Sequence, residues 1–305
     1  MEKIKIAITG LHGELGSKLL EAIPPELKEN CIIYDLYHTT KKTSYLNSLP
    51  IRHAKLDLMD TESIVSSLRK ISPDVIIHLA AITHIDRCEL EANSKKDSKS
   101  WCINVEATKK IVSYCKKSNT HLVFLSTECI FDGESNSFAE NSKPNPKNWY
   151  GITKASAEAA VKNSKNPWTI IRAVIAYDTS IQSKTIFSAI KNAFEKNKEF
   201  FAVSDQKFTP SYIPDIHRAI WNVVSYKHLG LIHISPQKSI TPYQFAIAIG
   251  THYGYDLSLV KKQKMDSYFG IERSQLRLKN ACLSMSDSIK VLNYIPKTIQ
   301  QVLKS

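Results

Sequence analysis

The sequence predicts an α/β chain, a doubly wound and mostly parallel sheet with a smaller C-terminal lobe. Three observations carry that expectation. Short strand-like runs alternate with stretches of helical period over the first two-thirds of the chain. The run Asp74–Ala80 is almost continuously apolar, as a strand buried on both faces should be. A glycine turn, Gly10-Leu11-His12-Gly13-Glu14-Leu15-Gly16, directly follows the first run.

Lys3–Thr9 is the first strand, and the glycine turn then opens an amphipathic helix that Pro24-Pro25 ends near Ile23. Cys31–Leu36 and Arg52–Leu58 are the second and third strands. Ile64, Val65, Leu68 and Ile71 share one helix face, which Ser72-Pro73 closes. Asp74–Ala80 is the fourth strand, Trp101–Cys115 a helix, and His121–Ser126 the fifth strand. After about residue 175 the alternation degrades into a polar, mixed region up to Pro214. A helix pattern (Ile216, Ala219, Ile220, Val223) and a strand-like run (Leu231–Ile234) follow. No linker separates the C-terminal third. Residues 1–175, with 213–235 returning to them, are expected to form the sheet domain, and 176–212 with 236–305 the lobe.

The chain has 305 residues, 43% of them hydrophobic and 23% charged, values that exclude a disordered, collagen-like or coiled-coil protein. Its net charge is +12, but only seven of the 41 basic residues are arginine and the lysines are scattered. Nucleic-acid readers favour arginine. A solvated lysine surface is therefore expected, with no nucleic-acid partner. No run approaches the roughly 20 apolar residues of a membrane span, and Met1–Gly10 does not read as a signal peptide. A cytoplasmic protein without membrane contact is expected. Six cysteines without metal spacing read as free thiols, and ten histidines without H-x-x-x-H or H-E-x-x-H give no metal site.

The glycines are spaced G-x-x-G-x-x-G between a strand and a helix, so backbone N–H groups can approach a pyrophosphate at the helix N-terminus. Three of only nine glycines sit there. This is a dinucleotide-binding signature of Rossmann type. Asp35, 19 residues after Gly16, can accept hydrogen bonds from an adenosine ribose and so favours NAD(H). Lys41 and Lys42 suit a 2′-phosphate instead, and both cofactors stay open. Tyr150 and Lys154 lie four apart, on one face of a helix, where an ammonium lowers a phenol's pKa for proton transfer. Ser126-Thr127 ends the fifth strand, at the sheet edge where open α/β proteins place ligands. His78 reads as a core or cofactor-neighbouring histidine, Asn104 as helix packing or as a residue holding an active-site water, and the ring of His12 as facing solvent.

Together these motifs resemble the extended short-chain dehydrogenase/reductase family. The stretch from Ser126 to Gly133 (STECIFDG), Glu140, Pro146–Lys154 (PKNWYGITK) and Ala80–Glu89 (AAITHIDRCE) resemble the dTDP-4-dehydrorhamnose reductases within it. Asp205-Gln206, Thr209-Pro210-Ser211 and Arg277–Leu283 (RLKNACL) extend the likeness almost to the end. Departures from the family pattern are Cys129 for an aromatic residue, Leu278 for proline, Ala281 for serine and Ser211 for threonine.

The resemblance implies NAD(P)H-dependent reduction of the C4 keto group of a nucleotide-linked 4-keto-6-deoxy sugar. Thr127, Tyr150 and Lys154 would be catalytic, with Tyr150 the proton donor. It implies cofactor contacts at Gly10, His12, Gly13, Glu14, Leu15, Gly16, Asp35, Asp57, Leu58, Leu79, Ala80, Ala81, Tyr150 and Lys154, with NADPH or NADH bound. Thr83, Asp86, Glu128, Arg172 and Arg277 are the implied substrate contacts, Arg172 alternatively closing a salt bridge. A nucleotide sugar is the implied partner, and a homodimer is one assembly it allows. Two alternatives share the fold. One is an epimerase or 4,6-dehydratase, the latter disfavoured because Cys129 replaces its second carboxylate. The other is a non-catalytic NADP-binding regulatory subunit, as in the methionine adenosyltransferase β-subunit.

Overall fold

The structure, a computed structural model, describes residues 2–38, 51–180 and 183–305. Its strands are β1 (Ile4–Thr9), β2 (Cys31–Tyr37), β3 (Arg52–Lys55), β4 (Val75–His78), β5 (His121–Thr127), β6 (Trp168–Ala173), β7 (Phe200–Val203), β8 (Lys207–Phe208), β9 (Gly230–Ile234), β10 (Val260–Gln263) and β11 (Asn280–Ala281). Seven of them form one sheet in the order β3-β2-β1-β4-β5-β6-β9, and every pairing from β3 to β5 is parallel. This is a Rossmann-like sheet. The strand order reverses between β1 and β4, which is where such sheets open a ligand crevice.

The chain divides into two compact units. The first comprises Met1–Ser126, Trp149–Ile171 and His217–Leu231, and the second Thr127–Asn148, Arg172–Ile216 and Ile232–Ser305. The segment 127–148, expected with the sheet domain, thus groups with the second unit.

In the first unit the predicted apolar positions are the core. Ala7, Leu36, Ile76, Leu122 and Phe124 on the strands pack against Ile64, Leu68 and Ile71 of helix Thr61–Ile71 and Ile111 and Cys115 of helix Ala107–Ser118. Asp60 caps the first of these helices by accepting from the Glu62 N–H, and Ser72 ends it in the left-handed region at φ 49°. All four residues of β4 are buried.

The stretch after the glycine turn departs from expectation. Residues 11–18 form turns and Leu19–Ala22 a 3₁₀ segment, not a regular α-helix. Side chains of the helix Ile213–Tyr226 take the carbonyls that a regular helix would use. His217 Nε2 donates to Leu15 O at 2.6 Å and Trp221 Nε1 to Leu19 O at 2.8 Å, while Leu19 N turns to Gly16 O. Pro25 then begins a short helix, Pro25–Asn30, as its fixed φ favours.

The second unit holds elements that the polar composition hid. Helix Ile186–Glu195 starts with a capping box at Thr185, and helix Pro242–Tyr253 with another at Thr241. Strands β7 and β10 pair in parallel, as do β8 and β11. Tyr177 anchors the interior, its ring against Phe187, Tyr212 and Phe245.

Candidate functional site

In the first unit the turn after β1 lies against the end of β4. Gly10 has φ +77°, and a Cβ built on it would stand 2.7 Å from Ala80 N. A Cβ on Gly16 would stand 2.3 Å from Gly10 O. Both glycines are thus dictated by close backbone approach, whereas Gly13 meets only Gly10 O at 3.2 Å. Leu79 N donates to Thr9 O and Ala80 N to Thr9 Oγ1. A cavity of about 300 Å³ opens here, lined among others by Gly10, His12, Tyr37, Asp57, Leu58 and Ala80. A glycine cradle that any Cβ would fill, beside a cleft at the switch point, fits a dinucleotide. Asp57, one of the lining residues, has Oδ1 accepting from Met59 N and Oδ2 3.3 Å from His38 Nε2.

The structure sets Asp35 and His12 together, and the expectation for the His12 ring is corrected. Asp35 is fully buried and does not line that cavity. Its Oδ2 takes His12 Nε2 at 2.8 Å and His53 Nδ1 at 3.1 Å. His12 accordingly turns inward onto Asp35 and is not a solvent-facing ring. Lys41 and Lys42 lie outside the described residues.

Tyr150 and Lys154 are buried on helix Trp149–Lys162. Glu89 fixes the start of that helix by accepting from Trp149 N at 2.9 Å, which sets a carboxylate at a helix N-terminus. Trp149 also stacks on Trp101. Lys154 Nζ donates to Leu125 O at 2.6 Å and lies 3.9 Å from the centre of the Phe124 ring. Burial pushes its pKa down to about 7, with Glu158 opposing. His78 bonds Thr9 Oγ1 and Thr108 Oγ1, and burial together with Lys154 lowers its pKa to about 3, so it is a neutral core histidine.

Asn104 carries more than helix packing. It lies in a π-helical turn, Cys102–Glu106. Its amide both accepts from Ile82 N and donates to Ile82 O, and it donates to Thr153 Oγ1, which in turn donates to Tyr150 O. The chain after β4 is thereby tied to the Tyr150 helix. No apolar pattern marks such a residue, although an Asn at a buried helix position is a weak cue. Of the neighbouring expected substrate contacts, Thr83 is exposed and Asp86 half-buried.

The second unit holds the other expected residues. Thr127 Oγ1 accepts from Cys129 N and donates to Glu128 Oε2 at 2.8 Å. Glu128 is buried, and burial pushes its pKa up to about 7 against hydrogen bonds from Thr127 and backbone groups including that of Ile175. Ile175 has φ 28°, a strained value for a β-branched residue. Three motifs distant in sequence meet here. A Cβ on Gly133 would stand 2.7 Å from Leu278 Cβ, Gln206 Nε2 donates to Leu278 O, and Asn280 donates twice to Gly133 O. Arg277 is half-buried, its guanidinium 4.9 Å from the Phe269 ring centre. Arg172 is corrected as a substrate contact. It is fully buried, bonded to Glu140 O and His233 Nε2 and set over the Phe131 ring.

Residues 4–304 match the family described as RmlD substrate binding domain. The chain belongs to that family. Among its relatives, it is 24% identical over 284 residues to the "Probable low-salt glycan biosynthesis reductase Agl14" of Haloferax volcanii, covering 92% of this chain and 89% of that protein. It is 28% identical over 251 residues to "Methionine adenosyltransferase 2 subunit beta" of Xenopus tropicalis, covering 79% and 70%. A crystal structure of dTDP-4-dehydrorhamnose reductase from Bacillus anthracis in complex with NADP superposes with a TM-score of 0.82 at 22% identity, covering 99% and 98%. Among the described residues no cluster suits a metal ion, and no helix is long and apolar enough to cross a membrane. All six cysteines are free thiols.

Proposed function

We propose that this RmlD-family chain is an NAD(P)H-dependent reductase acting on the C4 keto group of a nucleotide-linked 4-keto-6-deoxy sugar. The observation that carries the reading is the buried Tyr150/Lys154 pair, on a helix pinned by Glu89 and Asn104 in the same unit as the glycine cradle. Kinship with a glycan biosynthesis reductase and a dTDP-4-dehydrorhamnose reductase supports it.

Gly10, Gly13 and Gly16 hold the pyrophosphate, and Asp57 and Leu58 border the adenine. When bound, the reduced nicotinamide supplies hydride for C4. Tyr150 donates the proton to the C4 oxygen, and Lys154 lowers the phenol's pKa by its charge. Thr127 hydrogen-bonds that oxygen. Its proton is given to Glu128 in this structure, and a protonated Glu128 can reverse that bond and free the Thr127 hydroxyl to donate. Thr83, Asp86, Glu128 and Arg277 contact the sugar nucleotide.

The test is a panel of 4-keto-6-deoxy sugar nucleotides with NADPH or NADH, followed by loss of cofactor absorbance. Turnover is expected with at least one sugar. Tyr150→Phe should lower it by roughly a hundredfold or more, with cofactor affinity nearly unchanged. Full activity of that variant refutes the role of Tyr150. Similarity to a methionine adenosyltransferase β-subunit favours a second reading, a cofactor-binding regulatory subunit. Tight cofactor binding without oxidation by any sugar would support that one instead.

A further inference from the structure

We infer that the first unit carries a second ligand site, a cavity at the amino ends of β1, β2 and β3 that takes a small organic acid with an aliphatic body. The proposed function makes no use of it. The crevice for a dinucleotide lies at the carboxyl ends of the strands. This cavity, of about 260 Å³, opens at their other ends, where Lys3 precedes β1, Cys31 begins β2 and Arg52 begins β3. It shares no lining residue with the cavity beside Gly10.

Two kinds of wall meet here. Leu20 and Ile23, from the stretch after the glycine turn, face Ile32 and Ile51 across an apolar space. Ile23, Ile32 and Ile51 stay half-buried around it, so an aliphatic chain seated there takes further apolar surface out of water. Lys3, Lys28 and Arg52 complete the walls, all three exposed. No lining residue is acidic, since Glu26 and Glu29, on the same short helix as Lys28, stay outside the walls. Among the described residues none of these three cations is paired with a carboxylate. Arg52 is held in place, with Nη1 donating to Tyr34 Oη at 2.9 Å and the guanidinium 5.7 Å from the Tyr34 ring centre. Its planar fork suits a carboxylate. The half-buried Cys31 thiol senses the same charge, because burial raises its pKa while Lys3 lowers it. An apolar space walled by three cations and no acid is complementary to a molecule with an apolar body and one anionic head.

Octanoate is the probe, titrated into the full chain by calorimetry. Alkylation of Cys31 by iodoacetamide, read by peptide mass spectrometry, reports where it binds. Octanoate is expected to slow Cys31 about fivefold or more at saturation, and to leave Cys102, the other half-buried thiol, within about twofold. Acetate, which lacks the body, and 1-octanol, which lacks the charge, should each bind at least about fivefold more weakly. The paired variant Lys28→Gln with Arg52→Gln should also weaken octanoate about fivefold or more. Lys3 is kept in it, because that charge acts on the Cys31 thiol itself. No octanoate binding in the calorimeter overturns the inference, whatever the reactivity of Cys31. Binding that leaves a reactive Cys31 unprotected, or that slows Cys102 equally, overturns it as well. Equal binding of 1-octanol, or unchanged affinity in the paired variant, shows an apolar hole without an anion site and has the same consequence. Where Cys31 proves unreactive from the start, the paired variant alone decides.

Discussion

Lys154 gives the sharpest physical test of the site, because its burial makes stability depend on pH in a direction few lysines impose. Its amine is 3% exposed and titrates at about 7 in the fold, against 10.5 as its ordinary value, with desolvation the main cause. Between these two values the unfolded chain holds a proton that the folded chain has released. The folded state therefore gains relative stability as pH rises through this window, and the penalty for the buried charge is fully present below about pH 7. The shift corresponds to about 5 kcal/mol across the window and about 2 kcal/mol between pH 7 and pH 9. Lys154→Met keeps most of the aliphatic contact with Phe124 but removes the titrating group and leaves Leu125 O without its donor, at about 1–3 kcal/mol. That second cost is independent of pH, so the two contributions separate. Urea unfolding of the cofactor-free protein, followed by tryptophan fluorescence at pH 7, 8 and 9, should show the stability of the unmodified chain climbing by about 2 kcal/mol relative to the variant. Parallel curves for the two proteins would refute the buried, depressed amine.

Two further outcomes follow from the same geometry. In Gly16→Ala the new Cβ collides with backbone at Gly10 O and Leu11 Cα, which cannot swing aside. Loss of NADPH binding and a stability loss of about 1–3 kcal/mol are expected, while Gly13→Ala should cost clearly less stability, its Cβ meeting only Gly10 O at 3.2 Å; equal losses of the two variants in thermal melting would contradict the cradle. Glu128 has the opposite pH sign, because a carboxyl raised from 4.5 to about 7 keeps a proton in the fold that the unfolded chain loses, so its contribution falls away as pH rises from 4.5 to 7. Glu128→Gln should therefore gain on the unmodified protein by about 3 kcal/mol across that range in denaturant unfolding, and a pH-independent difference would show that Glu128 is not buried as described.

Much of the first unit was legible because periodicity reports burial. The face Ile64, Leu68 and Ile71 and the wholly buried β4 appear where the residue pattern places them. The glycine turn was legible for another reason, since its spacing encodes backbone approach. What periodicity does not encode is the partner. Nothing local in the sequence says that His12 and His53 converge on Asp35, or that His217 and Trp221 take the carbonyls that would have made residues 11–22 a helix. The π turn at Asn104 shifts the phase of its helix by one residue, which a fixed 3.6-residue period passes over. Arg172 shows the same limit from the other side. An arginine at a strand end reads as a ligand contact until its guanidinium is found spent on Glu140 O and His233.

The departures from the reductase pattern can be weighed by where they sit. Cys129, Leu278, Ala281 and Ser211 are all buried, at 6%, 3%, 2% and 0% exposure. Ser211 is bonded to Ile234 O and Val174 N, and Leu278 fills the space that Gly133 leaves open. These four exchanges alter how the second unit packs more than what it presents to a ligand. A change of packing can be balanced by neighbours of matching volume, and Gly133 against Leu278 is one such fit. Of the groups that the proposed function assigns to a sugar nucleotide in this unit, Thr127 and Arg277 keep the pattern, and Glu128 stands where the pattern has an aspartate. On the proposed function, substrate choice is therefore to be sought in the segments 127–128 and 277, and in the strained backbone at Ile175 that helps hold Glu128, before the four buried exchanges.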